Sequence, residues 1–263
     1  MSYFIKPPME AYDTLEGPNY FLQYRTYSEY NYLRPGLFSL VKIRHFETAL
    51  RLTKTYFRRC NVIDFGCADG VFLPSLSKYF NRVVGIDRNP GSIKICEGLV
   101  NRLGLGNVKL MCNDGLPVRD VRSRISGEGT YQILYLLETL EHVGDKGSLY
   151  QSKIDFLRDI ATLIDEDGIM VISVPTMVGL AFLLQRIGLG LFKLPRDQMT
   201  VREILKASFL NNTTDIEKRW DQSHLGFNHR KLEKFLGSAF QILVRKDIFF
   251  QVVYVVKPRT PVR

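Results

Sequence analysis

The chain has 263 residues and a mass of 30.3 kDa, with 45% hydrophobic, 12% aromatic and 24% charged residues and a net charge of +9. That composition excludes a disordered chain, and ordinary glycine and proline counts (20 and 11) exclude collagen-like and low-complexity ones. The length suits one large α/β domain or two small ones, with a core that needs no metal or disulfide to hold it.

The chain opens on MSYFIKPPME, which lacks the basic-then-apolar layout of a secretory leader. Tyrosines at 20, 24 and 27 share one face of a helix predicted over 20–34. After Pro35 and Gly36, apolar residues spaced three and four apart predict a second helix over 37–57. Strands and helices then alternate. NVIDF (61–65) is an apolar strand that stops at GCADG, and VFLPSLSKYF follows as a helix with Pro74 in its first turn. RVVGID (82–87) is the next strand, followed by a helix closed by Gly104 and Gly106. Further strands are predicted over 108–114, 131–138 and 169–175, with an amphipathic helix before the last. Continuous apolar strands separated by helices mean a parallel sheet covered on both faces.

The final third changes character. The longest apolar run, 168–184, is split by Pro175 into a strand-like and a helix-like half and is followed by Gln185 and Arg186, so it does not span a membrane. Thr200 and Glu203 have capping-box spacing and Asn228 stands as an N-cap. Two strands joined by a short turn close the chain as an antiparallel hairpin. Residues 176–263 hold 15 basic and 7 acidic side chains, whereas 61–175 hold 12 and 15. A basic final third fits an anionic partner: a lipid headgroup, a glycan phosphate or a nucleic acid. Cys60, Cys67, Cys96 and Cys112 lack C-x-x-C spacing, which argues against a structural zinc cluster and fits a reduced, cytoplasmic protein.

The informative segment is VIDFGCADG. A glycine turn directly after the first strand lets backbone approach a ligand, and the next helix start points its amides there. The spacing Gly66, Ala68, Gly70 is neither G-x-G-x-x-G nor a P-loop. Asp64 before the turn would repel a diphosphate and suits a cationic ligand end. Asp87 ends the second strand, where a carboxylate accepts two ribose hydroxyls. Asp114, beside Gly115, ends the third and can accept from an exocyclic amine. Together these describe a site for a nucleoside with an ammonium-bearing tail and no phosphate, which S-adenosylmethionine fits.

VIDFGCADG, GID, CNDGLP and YQILYLLETLEHV together resemble the class I S-adenosylmethionine-dependent methyltransferases, over about residues 40–175. The resemblance implies a Rossmann-like, doubly wound α/β fold with a seven-stranded, mostly parallel sheet completed by the C-terminal hairpin. It divides the chain into an N-terminal helical cap (1–60), the cofactor-binding core (61–175), a helical lid or acceptor insert (176–228) and the last helix with the hairpin (229–263). It implies that Asp64, Gly66, Cys67, Ala68 and Gly70 form the cofactor turn, with Ala68 a mild departure from the family's glycine. Asp87 carries over as the ribose acid with Arg88 beside the adenine. Asn113, Asp114 and Gly115 carry over as the adenine edge, and Leu136 and Leu137 as the floor under the nucleoside. Arg44 resembles an arginine that some relatives place on the cofactor carboxylate. S-adenosylhomocysteine is the implied product.

Methyl transfer from a sulfonium needs alignment, exclusion of water and, for a hydroxyl acceptor, a base. LETLEHV puts Glu138, Glu141 and His142 at the carboxyl end of the fourth strand, with His142 the candidate base and Glu141 beside it. SHLGFNHRKLEKFL resembles a recurrent stretch in small-molecule methyltransferases, which implies that His224 points into the acceptor pocket. Glu-x-x-Glu-His also resembles the ubiquinone-pathway O-methyltransferases and the metal-dependent methyltransferases of small-RNA 3′ ends. The latter resemblance would make Glu138, Glu141, His142 and His224 or His229 ligands of a divalent metal; the expectation here is no metal. The leading reading is O-methylation of a small-molecule or lipid-like acceptor. The alternatives are a metal-assisted RNA 2′-O-methyltransferase and a cofactor-binding regulator without catalysis. The apolar excursion after the fifth strand is expected to be a buried lid, with contact at a membrane surface as its alternative.

Overall fold

The computed structural model describes residues 2–12, 26–191 and 199–259. It divides into two compact units, Met1–Leu137 with Ile160–Val171, and Glu138–Asp159 with Ile172–Arg263.

The first unit begins with helices α1 (Leu37–Lys42) and α2 (Arg44–Thr53). The expected single helix over 37–57 is interrupted at Ile43 (φ −70°, ψ −11°), which caps both pieces while its N–H still reaches the Ser39 carbonyl at 3.0 Å. Thr53 ends α2 by donating its hydroxyl to the Ala49 carbonyl (2.9 Å), and one 3₁₀ turn, Lys54–Tyr56, follows. Of the tyrosine-rich helix, residues 20–25 lie outside the described residues, and Glu29–Leu33 form a π-helical turn. The core alternates β1 (Asn61–Phe65), α3 (Leu73–Tyr79), β2 (Arg82–Asp87), α4 (Pro90–Leu103), β3 (Val108–Cys112), α5 (Val118–Ile125) and β4 (Ile133–Leu137). Pro74 sits in the first turn of α3, where its missing N–H costs nothing. The Asn89 side chain caps α4, and Gly104, at φ +62°, closes it.

β1 pairs in parallel with β2 on one side and β4 on the other, and β2 pairs with β3. The chain leaves β1 for β2 and returns to β4 on the opposite flank, a switch point whose carboxyl side opens a crevice. Aromatic rings back the first strands: Phe4 stacks on Phe46, Phe46 on Phe72, and Phe72 meets Tyr135 edge-on, with centroids 4.9–5.4 Å apart. The Tyr135 hydroxyl and Thr53 Oγ1 share a hydrogen bond of 2.7 Å, which satisfies a phenol buried in that stack.

β3 stops at Cys112, two residues short of the expected end: the Asn113 N–H makes the last ladder bond to the Asp87 carbonyl (3.0 Å), and Gly115 then takes φ +66°. β4 starts at Ile133 rather than at Tyr131 and ends where Glu138 takes φ +52°.

The second unit holds α6 (Leu149–Ala161), whose last two residues belong to the first, and the carboxyl half of β5 (Ile169–Pro175). Then come α7 (Leu180–Leu191), α8 (Val201–Leu210), α9 (Thr214–Glu217), α10 (His229–Ala239) and the antiparallel pair β6 (Phe240–Ile248) and β7 (Gln251–Pro258). The Thr200–Glu203 capping box and the Asn228 cap form as their spacing predicts. The complete sheet has the order β3-β2-β1-β4-β5-β7-β6. Val252 to Val256 of β7 are buried, whereas edge strand β6 shows Arg245, Lys246 and Asp247, charges that discourage edge-to-edge pairing. Among the described residues no helix is long and apolar enough to cross a membrane.

Candidate active site

The turn after β1 is shaped by backbone. Gly66 and Gly70 take φ +82° and +86°, and Ala68 between them takes +48°. The N–H groups of Gly66 and Cys67 both donate to the Ile86 carbonyl at the end of β2 (2.7 and 3.0 Å), which ties the turn to its neighbour strand. A Cβ on Gly70 would stand 3.0 Å from Cys96 Sγ and Leu73 Cδ1 and 3.2 Å from Leu99 Cδ2, so a side chain there would crowd its neighbours as well as strain the backbone at φ +86°. The Cys96 thiol lies 3.1 Å from the Ala68 carbonyl and packs the underside of the turn.

Asp87 is locked from two sides. Ala68 N–H donates to its Oδ2 and Asn89 N–H to its Oδ1, both at 2.9 Å. Burial raises its pKa, and these two amides oppose the rise. The carboxylate keeps further lone pairs for hydroxyl donors. Asp64 is buried in β1, and burial followed by the Asp87 charge pushes its carboxyl up to about 7. Its Oδ2 is buried with no hydrogen-bond partner, and so is Asn113 Oδ1. Native proteins rarely leave buried acceptors unsatisfied, so two of them at the carboxyl ends of β1 and β3 ask for donors from a ligand. Leu136 and Leu137 are buried in β4. Asp114 and Gly115 are exposed in the turn after β3, and Arg88 and Arg44 are exposed at the end of β2 and the start of α2.

The second unit carries a cluster of side chains from separate segments. Glu141 is fully buried, and its Oε1 lies 3.9 Å from both His142 Nε2 and His224 Nδ1. The two imidazoles meet edge-on with centroids 4.9 Å apart. His142 Nδ1 is 2.6 Å from the Gln222 carbonyl; this contact assigns the proton to Nδ1 and the lone pair to Nε2. Burial lowers the His142 pKa, with the Gln222 bond and the Glu138 charge opposing. Beneath the 3₁₀ turn Leu140–His142, Lys153 Nζ donates to the carbonyls of Leu140 (2.8 Å), Glu141 (3.1 Å) and Val143. Trp220 Nε1 donates to the Glu141 carbonyl at 3.2 Å. Burial pulls the Lys153 ammonium down to about 7 against the Glu141 charge.

The ligand atoms of Glu141, His142 and His224 all lie within 4.8 Å of one another. Glu138 is not in that group: its Oε1 accepts the Ser173 hydroxyl at 3.1 Å, and its N–H donates to Ser173 Oγ at 3.0 Å. His229 is not in it either. It is buried at the start of α10, and burial carries its imidazole down to about 4.

Sequence reasoning missed Asp69, Lys153, Trp220 and Gln222. Asp69 is fully buried and accepts the Ser28 N–H (2.6 Å) and hydroxyl, which anchors the stretch before α1 to the glycine turn after β1. Lys153 had a readable signal: it falls on the buried stripe of α6 with Leu149, Leu157 and Ile160, and a lysine on an apolar stripe must find acceptors. Trp220 and Gln222 had none, because only tertiary packing brings them to residues 141 and 142.

Comparisons with known proteins give the family and the fold. A family model described as a methyltransferase domain matches residues 39–213. A ubiquinone biosynthesis O-methyltransferase of Azorhizobium caulinodans is 25% identical over 158 residues, 60% of this chain and 56% of that protein, so the chain spans little more than half of that relative's length. Two solved structures share the fold. The PH0226 protein from Pyrococcus horikoshii OT3 aligns with a TM-score of 0.56 at 16% identity, covering 85% of this chain and 93% of that one. The N-methyltransferase NodS from Bradyrhizobium japonicum WM9, in complex with S-adenosyl-L-homocysteine, aligns with a TM-score of 0.52 at 13% identity, covering 84% and 88%.

Proposed function

The chain belongs to the methyltransferase-domain family, and from that premise we propose that it moves a methyl group from S-adenosylmethionine to an oxygen of a small-molecule or lipid-like acceptor. The observation that carries this reading is the pair of partnerless buried acceptors, Asp64 Oδ2 and Asn113 Oδ1, beside a turn tightly packed at Gly70. A ligand that satisfies both must bring hydrogen-bond donors, and positive charge suits Asp64. An ammonium-bearing nucleoside does so, whereas a diphosphate brings neither.

When bound, the cofactor supplies a methyl group on a sulfonium whose sulfur leaves neutral. The chain's part is to hold it and to manage one proton. Asp87, held by two amides, would accept the ribose hydroxyls; Asn113 with Asp114 and Gly115 would meet the adenine edge; Leu136 and Leu137 would lie beneath it; Asp64 would take the amine. For a hydroxyl acceptor the O–H proton must leave as the oxygen gains the methyl. His142 is the base in this reading, because its Nδ1–H is committed to Gln222 and burial keeps the imidazole neutral near pH 7. Glu141 would stabilise the imidazolium that forms, and His224 would help orient the acceptor.

Calorimetry tests the cofactor half. Asp87→Ala is expected to weaken S-adenosylmethionine binding at least tenfold, about 1.4 kcal/mol, and unchanged binding would remove the reading. Labelled cofactor with cell extract tests the rest: label in the lipid or small-molecule fraction is expected, and tight binding without transfer would point to a regulator.

One observation favours a second reading, metal-assisted methylation of an RNA 2′-hydroxyl. Glu141, His142 and His224 converge as one carboxylate and two imidazoles, a donor set that suits a divalent transition metal. When bound, such an ion supplies Lewis acidity toward the acceptor oxygen. A melting temperature and an activity that rise with manganese and fall with EDTA, together with label in RNA, would favour it. No response to either leaves the metal-free reading.

A further inference from the structure

Helices α7 and α8 invert the usual arrangement of a surface helix. Each has a buried side, Phe182 and Arg186 on α7 and Ala207 and Ser208 on α8. The opposite sides, which water should meet with polar groups, are apolar. Leu180, Leu184 and Ile187 recur at helical spacing on α7, and Val201, Leu205 and Phe209 on α8 with Leu210 beside them; their exposures run from 45% to 73%. The two helices are joined where the Gly179 N–H donates to the Ala207 carbonyl at 3.2 Å. On α8 the apolar residues line an open depression of about 560 Å³ with Arg202 and Lys206 along it. Scattered exposed leucines are ordinary, but seven exposed large apolar side chains at helical spacing on two adjoining helices are surface that calls for a cover.

We propose that this α7–α8 face docks on an anionic phospholipid surface. Charge complementarity selects the occupant. Exposed Arg202 stands among the aliphatic residues with Lys206, whose ammonium also pairs with Asp215 at 2.9 Å, in a stretch (176–263) with 15 basic and 7 acidic side chains, an excess of positive charge that suits acidic headgroups. A second copy of the chain fits less well. A two-fold contact would bring the same patch to both sides and so oppose two patches that both carry Arg202 and Lys206. The inference goes beyond the methyl-transfer reading and does not depend on it, because docking needs neither cofactor nor turnover. If both hold, acceptors that partition into lipid become the natural ones.

Vesicle sedimentation with the full chain and no cofactor tests it. The chain is expected to pellet with vesicles containing about a third phosphatidylglycerol, far less with pure phosphatidylcholine, and less as salt rises. The doubly substituted L184E/F209E chain should lose at least tenfold of that binding with its circular dichroism and melting temperature kept, since both side chains are exposed. Arg202→Glu should weaken binding to the anionic vesicles alone. Failure of the wild type to pellet with anionic vesicles, or equal pelleting by L184E/F209E, overturns the proposal. So does a wild-type dimer in ultracentrifugation that L184E/F209E disperses, because a second copy would then be the cover.

Discussion

The glycine turn after β1 and the Glu138–Val143 segment after β4 both follow parallel strands, yet they are built in opposite ways. The first is made of backbone: two positive-φ glycines, paired amides on the Ile86 carbonyl, and Asp87 held by the amides of Ala68 and Asn89. Its parts lie within about thirty residues, and each is a residue type chosen for conformation or for one carboxylate. The second is made of side chains gathered from residues 138–142, 153 and 220–224, and a buried ammonium holds its backbone through three carbonyls. A backbone site tolerates change in side chains and fails on any added Cβ. A side-chain site fails when one distant partner is lost.

Gly70→Ala should have the largest effect. It adds left-handed strain and an overpacked Cβ against Cys96, Leu73 and Leu99, together about 3–5 kcal/mol. Urea unfolding should show that loss, and calorimetry should show cofactor affinity falling with it. A Gly70→Ala chain that binds cofactor normally would break the comparison.

Lys153→Met should act on the other region alone. It takes one donor from each of the carbonyls of Leu140, Glu141 and Val143 and removes the cation near buried Glu141, although Trp220 still reaches the Glu141 carbonyl and the Val143 N–H the Leu140 carbonyl, at a cost of about 2–4 kcal/mol. Turnover should fall by more than tenfold while cofactor affinity stays within about twofold. Loss of both together would mean that the regions are not built separately.

Asp64→Asn gives the smallest effect and the sharpest one. The Asp64 carboxyl titrates near 7 in the folded chain, above its unfolded value of about 3.9. Its contribution to stability is therefore complete below about pH 4 and is lost as pH rises through 7. The amide carries no such burden but leaves its own buried donors to satisfy, so the variant should gain about 1–2 kcal/mol at pH 8 and nothing at pH 4. Cofactor affinity should behave inversely. In the wild type it should climb up to tenfold per pH unit toward pH 7, as the carboxylate that faces a cation ionises, and in Asp64→Asn it should be weaker and flat. A wild-type affinity independent of pH between 5 and 8 would remove Asp64 from the amine.

By itself the amino-acid sequence determined the strand–helix alternation, the Thr200 and Asn228 caps, the glycine turn and its following acid, because apolar periodicity, capping and positive φ are local properties of short segments. It left open where strands end. β3 stops at Cys112 and β4 at Leu137, where the last bonds run from the Asn113 amide to the Asp87 carbonyl and from the Glu138 amide to Ser173, between residues 26 and 35 positions apart, before Gly115 and Glu138 take positive φ. Only the tertiary structure decided that Glu141 meets His142 and His224 but neither Glu138 nor His229, that Lys153 and Trp220 brace that turn, and that the apolar side of α7 faces outward with that of α8. A carboxylate's partners and a helix's covered side are set by packing across long sequence separations, and no spacing along the chain encodes them.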